Sequence, residues 1–187
     1  MKKILLLIII LIPFISKSQS FEFKPYVDQN VSCYGNNDGY IQSIAVPDGE
    51  YQFTISRLSF KDTNTSGTFN KLKPGVYKVC CSDGKTIKCT KLTVTEPKKI
   101  NVKFLVERYP TKTSLGELSL EVTGGTTVIQ PYLITWTNSK GIILNPWPEF
   151  SNFEMSLNNI PNDVYSVKIE DDNGCFHEKS FKLTNKK

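Results

Sequence analysis

Two groups of residues have types and spacings that could do chemistry. Cys175 and His177 stand two apart near the end of the chain, the pairing of a thiol nucleophile with an imidazole base. Strand alternation places both on one face with no third group to orient the imidazole, so the spacing reads as a surface strand pair. Asn36-Asn37-Asp38 and Asp171-Asp172-Asn173 carry the oxygen ligands that Ca²⁺ prefers. Neither matches the twelve-residue oxygen-ligand loop with its closing Glu, and both read as solvated turns. His177 is the single histidine of the chain, so no His pair is available for a metal site and no second imidazole for a relay. A hydrolase needs convergent acid and base groups, and none is evident. The expectation is a chain with no catalytic residue, no cofactor and no metal.

A third group suggests binding rather than chemistry. Trp147 lies between Pro146 and Pro148, with Phe150 and Phe153 close behind. Proline stiffens the backbone, and a rigidly held aromatic can anchor a protein groove or stack on a sugar ring. Equally, the loop can fold back over an open sandwich end and bury Trp147.

The elements that position these residues follow from composition and pattern. The chain has 187 residues, 39% of them hydrophobic and 22% charged, which suits a folded protein. Met1-Lys2-Lys3, a twelve-residue apolar run from Ile4 to Ile15 and Ser16-Lys17-Ser18 read as a secretory signal peptide over residues 1–18. As a helix the run would rise only ~18 Å against a hydrocarbon core of ~30 Å. Removing Lys2, Lys3 and Lys17 leaves 20 basic against 18 acidic residues. Neither half of the remainder has the charge excess of a nucleic-acid binder, and no later run is long enough to span a bilayer as a helix.

All five cysteines, 33, 80, 81, 89 and 175, lie beyond the leader, where export permits disulfides. An odd number leaves at least one thiol free, reduced or paired between chains. CxxC pairs are absent and Cys80-Cys81 are adjacent, which argues against zinc.

Period-two alternation recurs at Tyr51–Ile55, Val76–Val79, Leu92–Val94, Ile100–Phe104, Leu118–Val122, Tyr132–Trp136 and Tyr165–Ile169. Such stretches are half-buried strands, and the Gly, Asn, Asp and Pro clusters between them are turns. An antiparallel sandwich is expected. The landmarks occur twice. Gly39-Tyr40-Ile41, Leu72-Lys73-Pro74-Gly75-Val76-Tyr77-Lys78-Val79 and Asp83-Gly84 are answered by Gly116-Glu117-Leu118, Ile160-Pro161-Asn162-Asp163-Val164-Tyr165-Ser166-Val167 and Asn173-Gly174. The second copy carries eleven extra residues between Trp136 and Leu157, the stretch that holds Trp147. Thr95-Glu96-Pro97-Lys98-Lys99 reads as the linker, which gives domains at 19–97 and 98–187. Tyr77 and Tyr165 are candidates for tyrosine corners, whose hydroxyls tie back to nearby backbone. Trp136 closes an alternating stripe and reads as core, with Ile55 in that role in the first copy.

Val31-Ser32-Cys33-Tyr34-Gly35-Asn36-Asn37-Asp38-Gly39-Tyr40-Ile41, with the later landmarks in the same order twice over, resembles the SprB-type repeat found in tandem in large surface proteins of gliding Bacteroidota. The resemblance covers nearly all of the mature chain. It implies immunoglobulin-like sandwiches used for adhesion or as spacers, with no catalytic residues to transfer. It also implies that an early Cys pairs with one after the late turn, here Cys33 with Cys89, whereas the second copy has Cys175 and no early partner. Cys80 and Cys89 lie symmetrically about Gly84-Lys85 and could pair across the hairpin; Cys33–Cys89 is the pairing favoured here and Cys80–Cys89 the alternative. Family members are usually long arrays with a C-terminal sorting domain for type 9 secretion, and this chain ends twelve residues after Cys175.

The function expected is that of a non-catalytic, exported cell-envelope protein, adhesin-like or an accessory subunit, in the periplasm or on the outer surface. Its partner would be an outer-membrane or cell-surface protein complex, met by Trp147, Phe150 and Phe153 with strand addition at a sheet edge. A glycan bound by the same aromatics is the alternative.

Overall fold

The computed structural model describes residues 20–127, 132–144 and 155–185. Thirteen strands are present among the described residues, and no helix. All seven alternating stretches are strands. Seven strands build the first unit: β1 (Glu22–Gln29), β2 (Gly39–Val46), β3 (Gln52–Arg57), β4 (Phe60–Asn64), β5 (Thr68–Leu72), β6 (Gly75–Ser82) and β7 (Ile87–Val94). They form two antiparallel sheets, β1-β2-β5 and β4-β3-β6-β7. The second unit repeats the plan with β8 (Lys98–Arg108), β9 (Gly116–Gly125), β10 (Leu133–Thr137), β11 (Ser156–Ile160), β12 (Asp163–Glu170) and β13 (Phe176–Leu183), in sheets β11-β9-β8 and β10-β12-β13. The fold is all-β and immunoglobulin-like, one sandwich after another. Lys98 and Lys99, read from sequence as linker, already belong to β8, so only Thr95–Pro97 joins the sandwiches.

Each unit has its own core. Ile41, Phe53, Ile55, Phe69, Leu72, Tyr77, Val79 and Val94 are packed together in the first, and Leu118, Ile134, Trp136, Leu157, Ile160, Tyr165, Val167 and Leu183 in the second. Trp136 and Ile55 are both fully buried, the places their stripes predict. Gly39 and Gly116 begin equivalent strands because nothing larger fits. A Cβ on Gly39 would lie 2.7 Å from Val94 Cγ1, and one on Gly116 would lie 2.8 Å from Pro110 Cδ.

The two tyrosines close the same corner twice. Tyr77 Oη donates to the Lys73 carbonyl at 2.8 Å, and Tyr165 Oη donates to the Pro161 carbonyl at 2.8 Å. Just upstream, Lys71 and Asn159 both take positive φ, 55° and 56°, so the backbone turn that presents those carbonyls is also duplicated. Each sandwich is open between its first and last strands, and a lysine fills the gap. Lys88 of β7 donates to the Phe21 carbonyl, and Lys179 of β13 donates to the Val102 carbonyl at 2.6 Å. An inward-pointing charge of this kind also discourages edge-to-edge pairing.

Replacing Tyr77 or Tyr165 by Phe removes one partly buried hydrogen bond and strands a carbonyl, so each change should lower unfolding free energy by about 1 kcal/mol in urea titration. No loss in either variant would deny the corners a share in stability.

Candidate interaction surface

Among the described residues, the first unit meets the second at a seam. The Asn30–Asp38 loop is folded by its own polar side chains. Asp38 accepts from the Ser32 amide at 3.1 Å and from the Ser32 hydroxyl. The Asn30 side chain accepts from the Thr95 amide at 2.8 Å, and Glu96 accepts from the Gly35 amide at 2.8 Å. These bonds hold Cys33 at the loop tip, against the β12–β13 turn.

That turn is organised by Asp171, which is buried. Its carboxylate accepts from the amides of Thr126 at 2.8 Å, Asn173 at 3.0 Å and Cys175 at 2.9 Å. Gly125 lets the end of β9 approach it, since a Cβ there would lie 2.9 Å from Asp171 Oδ2 and its φ is +67°. Asn173 Nδ2 then reaches across and donates to the Ser32 carbonyl at 3.0 Å. In the two Asp-Asn clusters, Asp38 thus accepts from the Ser32 amide and hydroxyl, and Asp171 from three backbone amides. Among the described residues, no group of three His, Cys, Asp or Glu side chains converges as metal ligands would.

Across this seam Cys33 is bonded to Cys175, with Cα atoms 5.5 Å apart and a sequence separation of 142. The pairing of Cys33 with Cys89 implied by the family resemblance is not formed. Cys89 lies on the outer face of β7, directly opposite Cys80 of β6, and these two are joined instead, Cα to Cα 4.0 Å. Cys33 sits at the seam end of the unit, beyond the reach of a disulfide to that face. Cys81 keeps the odd thiol, and burial pushes it up to about 11, so it stays protonated and unreactive at neutral pH. Oxidation of Cys175 also removes any nucleophile from the Cys175–His177 pair.

A groove of about 340 Å³ runs along the seam, lined among others by Tyr34, Lys98, Lys99, Asp171 and Phe176. His177 and Asp171 both line it, beside the Cys33–Cys175 cystine, and the Asp171 carboxylate is held by three backbone amides. Tyr34 and Phe176 stand 55% and 62% exposed on its walls. Trp147, Phe150 and Phe153 lie outside the described residues. The start of their segment is described: Ile143 bridges to Thr137, and the Leu144 amide donates to the Trp136 carbonyl at 2.9 Å. In the first unit β4 pairs along the whole of β3. In the second unit Ile143 and Leu144 meet Thr137 and Trp136 of β10, and Leu133, Ile142 and Ile143 are exposed beside it.

Two outcomes follow from the seam. In the chain-entropy model a loop of this length contributes up to about 5 kcal/mol, and only one direct hydrogen bond accompanies it. Cys33→Ser with Cys175→Ser should therefore broaden the distribution of distances between the units in small-angle scattering, and an unchanged curve would show that the seam holds without it. The Ser32 hydroxyl and amide hold the Asp38 carboxyl below the usual carboxylate range. The unfolded chain then binds the proton first, so this stabilisation is full above about pH 4 and is lost as pH falls through the lowered value. Asp38→Asn should flatten the melting-temperature profile in that acid window.

No protein-family model matches the chain, and no curated protein matches it. Solved structures do, at low similarity. They include the C-terminal 282-residue fragment of intimin, in complex with the intimin-binding domain of the translocated intimin receptor (14% identity, TM-score 0.44, 89% of this chain). Extracellular domains 3–5 of Drosophila OTK (12%, 0.35, 89%) and a Dscam structure (12%, 0.34, 89%) also match. The chain spans 65%, 61% and 47% of these three.

Proposed function

We propose that this is a non-catalytic, exported cell-envelope protein that acts as an adhesin-like or accessory subunit and binds an outer-membrane or cell-surface protein complex. The observation that carries the reading is the Cys33–Cys175 bond. A disulfide between the sandwiches requires an oxidising compartment, and it holds two exteriors in one arrangement that a partner can recognise. The polar groups at the seam support a structural role, because each carboxylate and thiol there is already engaged. The repeat resemblance adds the expectation of a surface setting in a gliding bacterium that uses type 9 secretion.

The partner would meet the second unit. Leu133, Ile142 and Ile143 are exposed beside β10 and supply apolar contact, with strand addition at a sheet edge as the expected mode. Trp147, Phe150 and Phe153 follow directly in the chain and are assigned to the same surface. Cross-linking on intact cells followed by pull-down should recover one dominant membrane protein, with recovery sharply reduced by Leu133→Asp. A clean monomer with no cross-linked partner would overturn the reading.

A further inference from the structure

The duplicated fold provides an internal control for every surface position, and one outer face departs from its copy. On the β4-β3-β6-β7 sheet, Lys61 lies opposite Ser56, Ser56 opposite Lys78, and Lys78 opposite Lys91. Three ammonium groups thus stand in one row across four strands, spaced by about one and two strand separations of ~5 Å. The outward residues of this sheet also include Gln52, Thr54, Thr63, Ser82 and Thr93, and no Asp or Glu. No ion pair neutralises the three lysines among the described residues.

Like charges directly opposite on neighbouring strands destabilise a sheet. Lys78 and Lys91 are such a pair, and the Cys80–Cys89 disulfide two residues along prevents the strands from slipping to separate them. The second unit shows that the fold does not need them. At the equivalent place Ser166 faces Ser180 and the hydroxyls are 2.8 Å apart, while Lys168 faces Glu178 where the first unit has its cystine. The remaining outer faces also balance their charges, with Lys24 on Glu22 at 3.1 Å and Lys103 on Glu121 at 3.0 Å. Protection of sheet edges would account for Lys61 on β4 and Lys91 on β7, but Lys78 lies on β6, paired on both sides.

We infer that this face is a second binding surface, independent of the protein-partner reading, and that its ligand is an anionic polysaccharide. A linear chain with regularly placed carboxylate or sulfate groups matches a straight row of cations on a flat sheet, and the flanking Ser and Thr hydroxyls can bond to sugar hydroxyls. The face has no aromatic side chain, so it lacks the stacking platform of a single-strand nucleic-acid binder. The exposed apolar residues that its strands turn outward are Val76 and Ile87, with Leu58 in the β3–β4 turn, too few and too scattered to enter a bilayer.

The test uses the mature chain with sodium alginate, dextran sulfate and neutral dextran as probes, and poly-L-glutamate and anionic vesicles as competitors. Alginate or dextran sulfate should bind with an affinity that falls as salt rises, and neutral dextran should not. Lys78→Ser with Lys91→Ser, which grafts the second unit's pair, should melt no lower than the parent and lose at least about tenfold in affinity. Lys182→Ser on the other unit's equivalent sheet should leave binding unchanged. Absence of binding to both anionic polysaccharides, a double variant that binds as the parent does, or equal affinity for poly-L-glutamate or vesicles would overturn the proposal. If the double variant fails to fold, Lys91→Gln on the exposed edge strand carries the same test, with a several-fold loss expected and none overturning it.

Discussion

One covalent bond turns two small sandwiches into a single object. Each core is modest, because a unit of this size buries only part of the surface its chain exposes when unfolded. Nothing in either core reaches the other. Beside the Thr95–Pro97 chain link, Cys33–Cys175 joins them a second time, with Asn173 on the Ser32 carbonyl, and the polar groups around that bond serve to present it. Asp38 and Asn30 shape the loop that carries one cysteine, and Asp171 shapes the turn that carries the other.

This division of labour uses up groups whose types by themselves suggest chemistry. Asp171 satisfies three amides, Asp38 satisfies an amide and a hydroxyl, and two cysteines are spent on the seam. Their types suggest ligands or nucleophiles, but their lone pairs and thiols are already in use.

The repeat separates what the fold requires from what it leaves free. Gly39 and Gly116, Tyr77 and Tyr165, and the positive-φ residues Lys71 and Asn159 recur because the packing and backbone at the corner demand them. Where the copies differ, as in a lysine row against a serine pair, there is no such demand. Function is expected where the copies part.

Much of the fold was legible because one buried face imposes period two on a strand, as in β6, β9 and β12. The tyrosine corners were legible because a turn and an alternating strand flank each Tyr at fixed offsets. The strands β1, β2, β4, β5, β11 and β13 were not picked out by alternation; all of these but the central β2 are sheet edges, where fewer side chains turn inward. The cystine across the β6–β7 hairpin could be narrowed to one of two pairings, because local symmetry bears on it. The partner of Cys33 could not be read at all. It depends on how two loops 142 residues apart meet after both sandwiches have formed, and no local pattern in the chain encodes that distance.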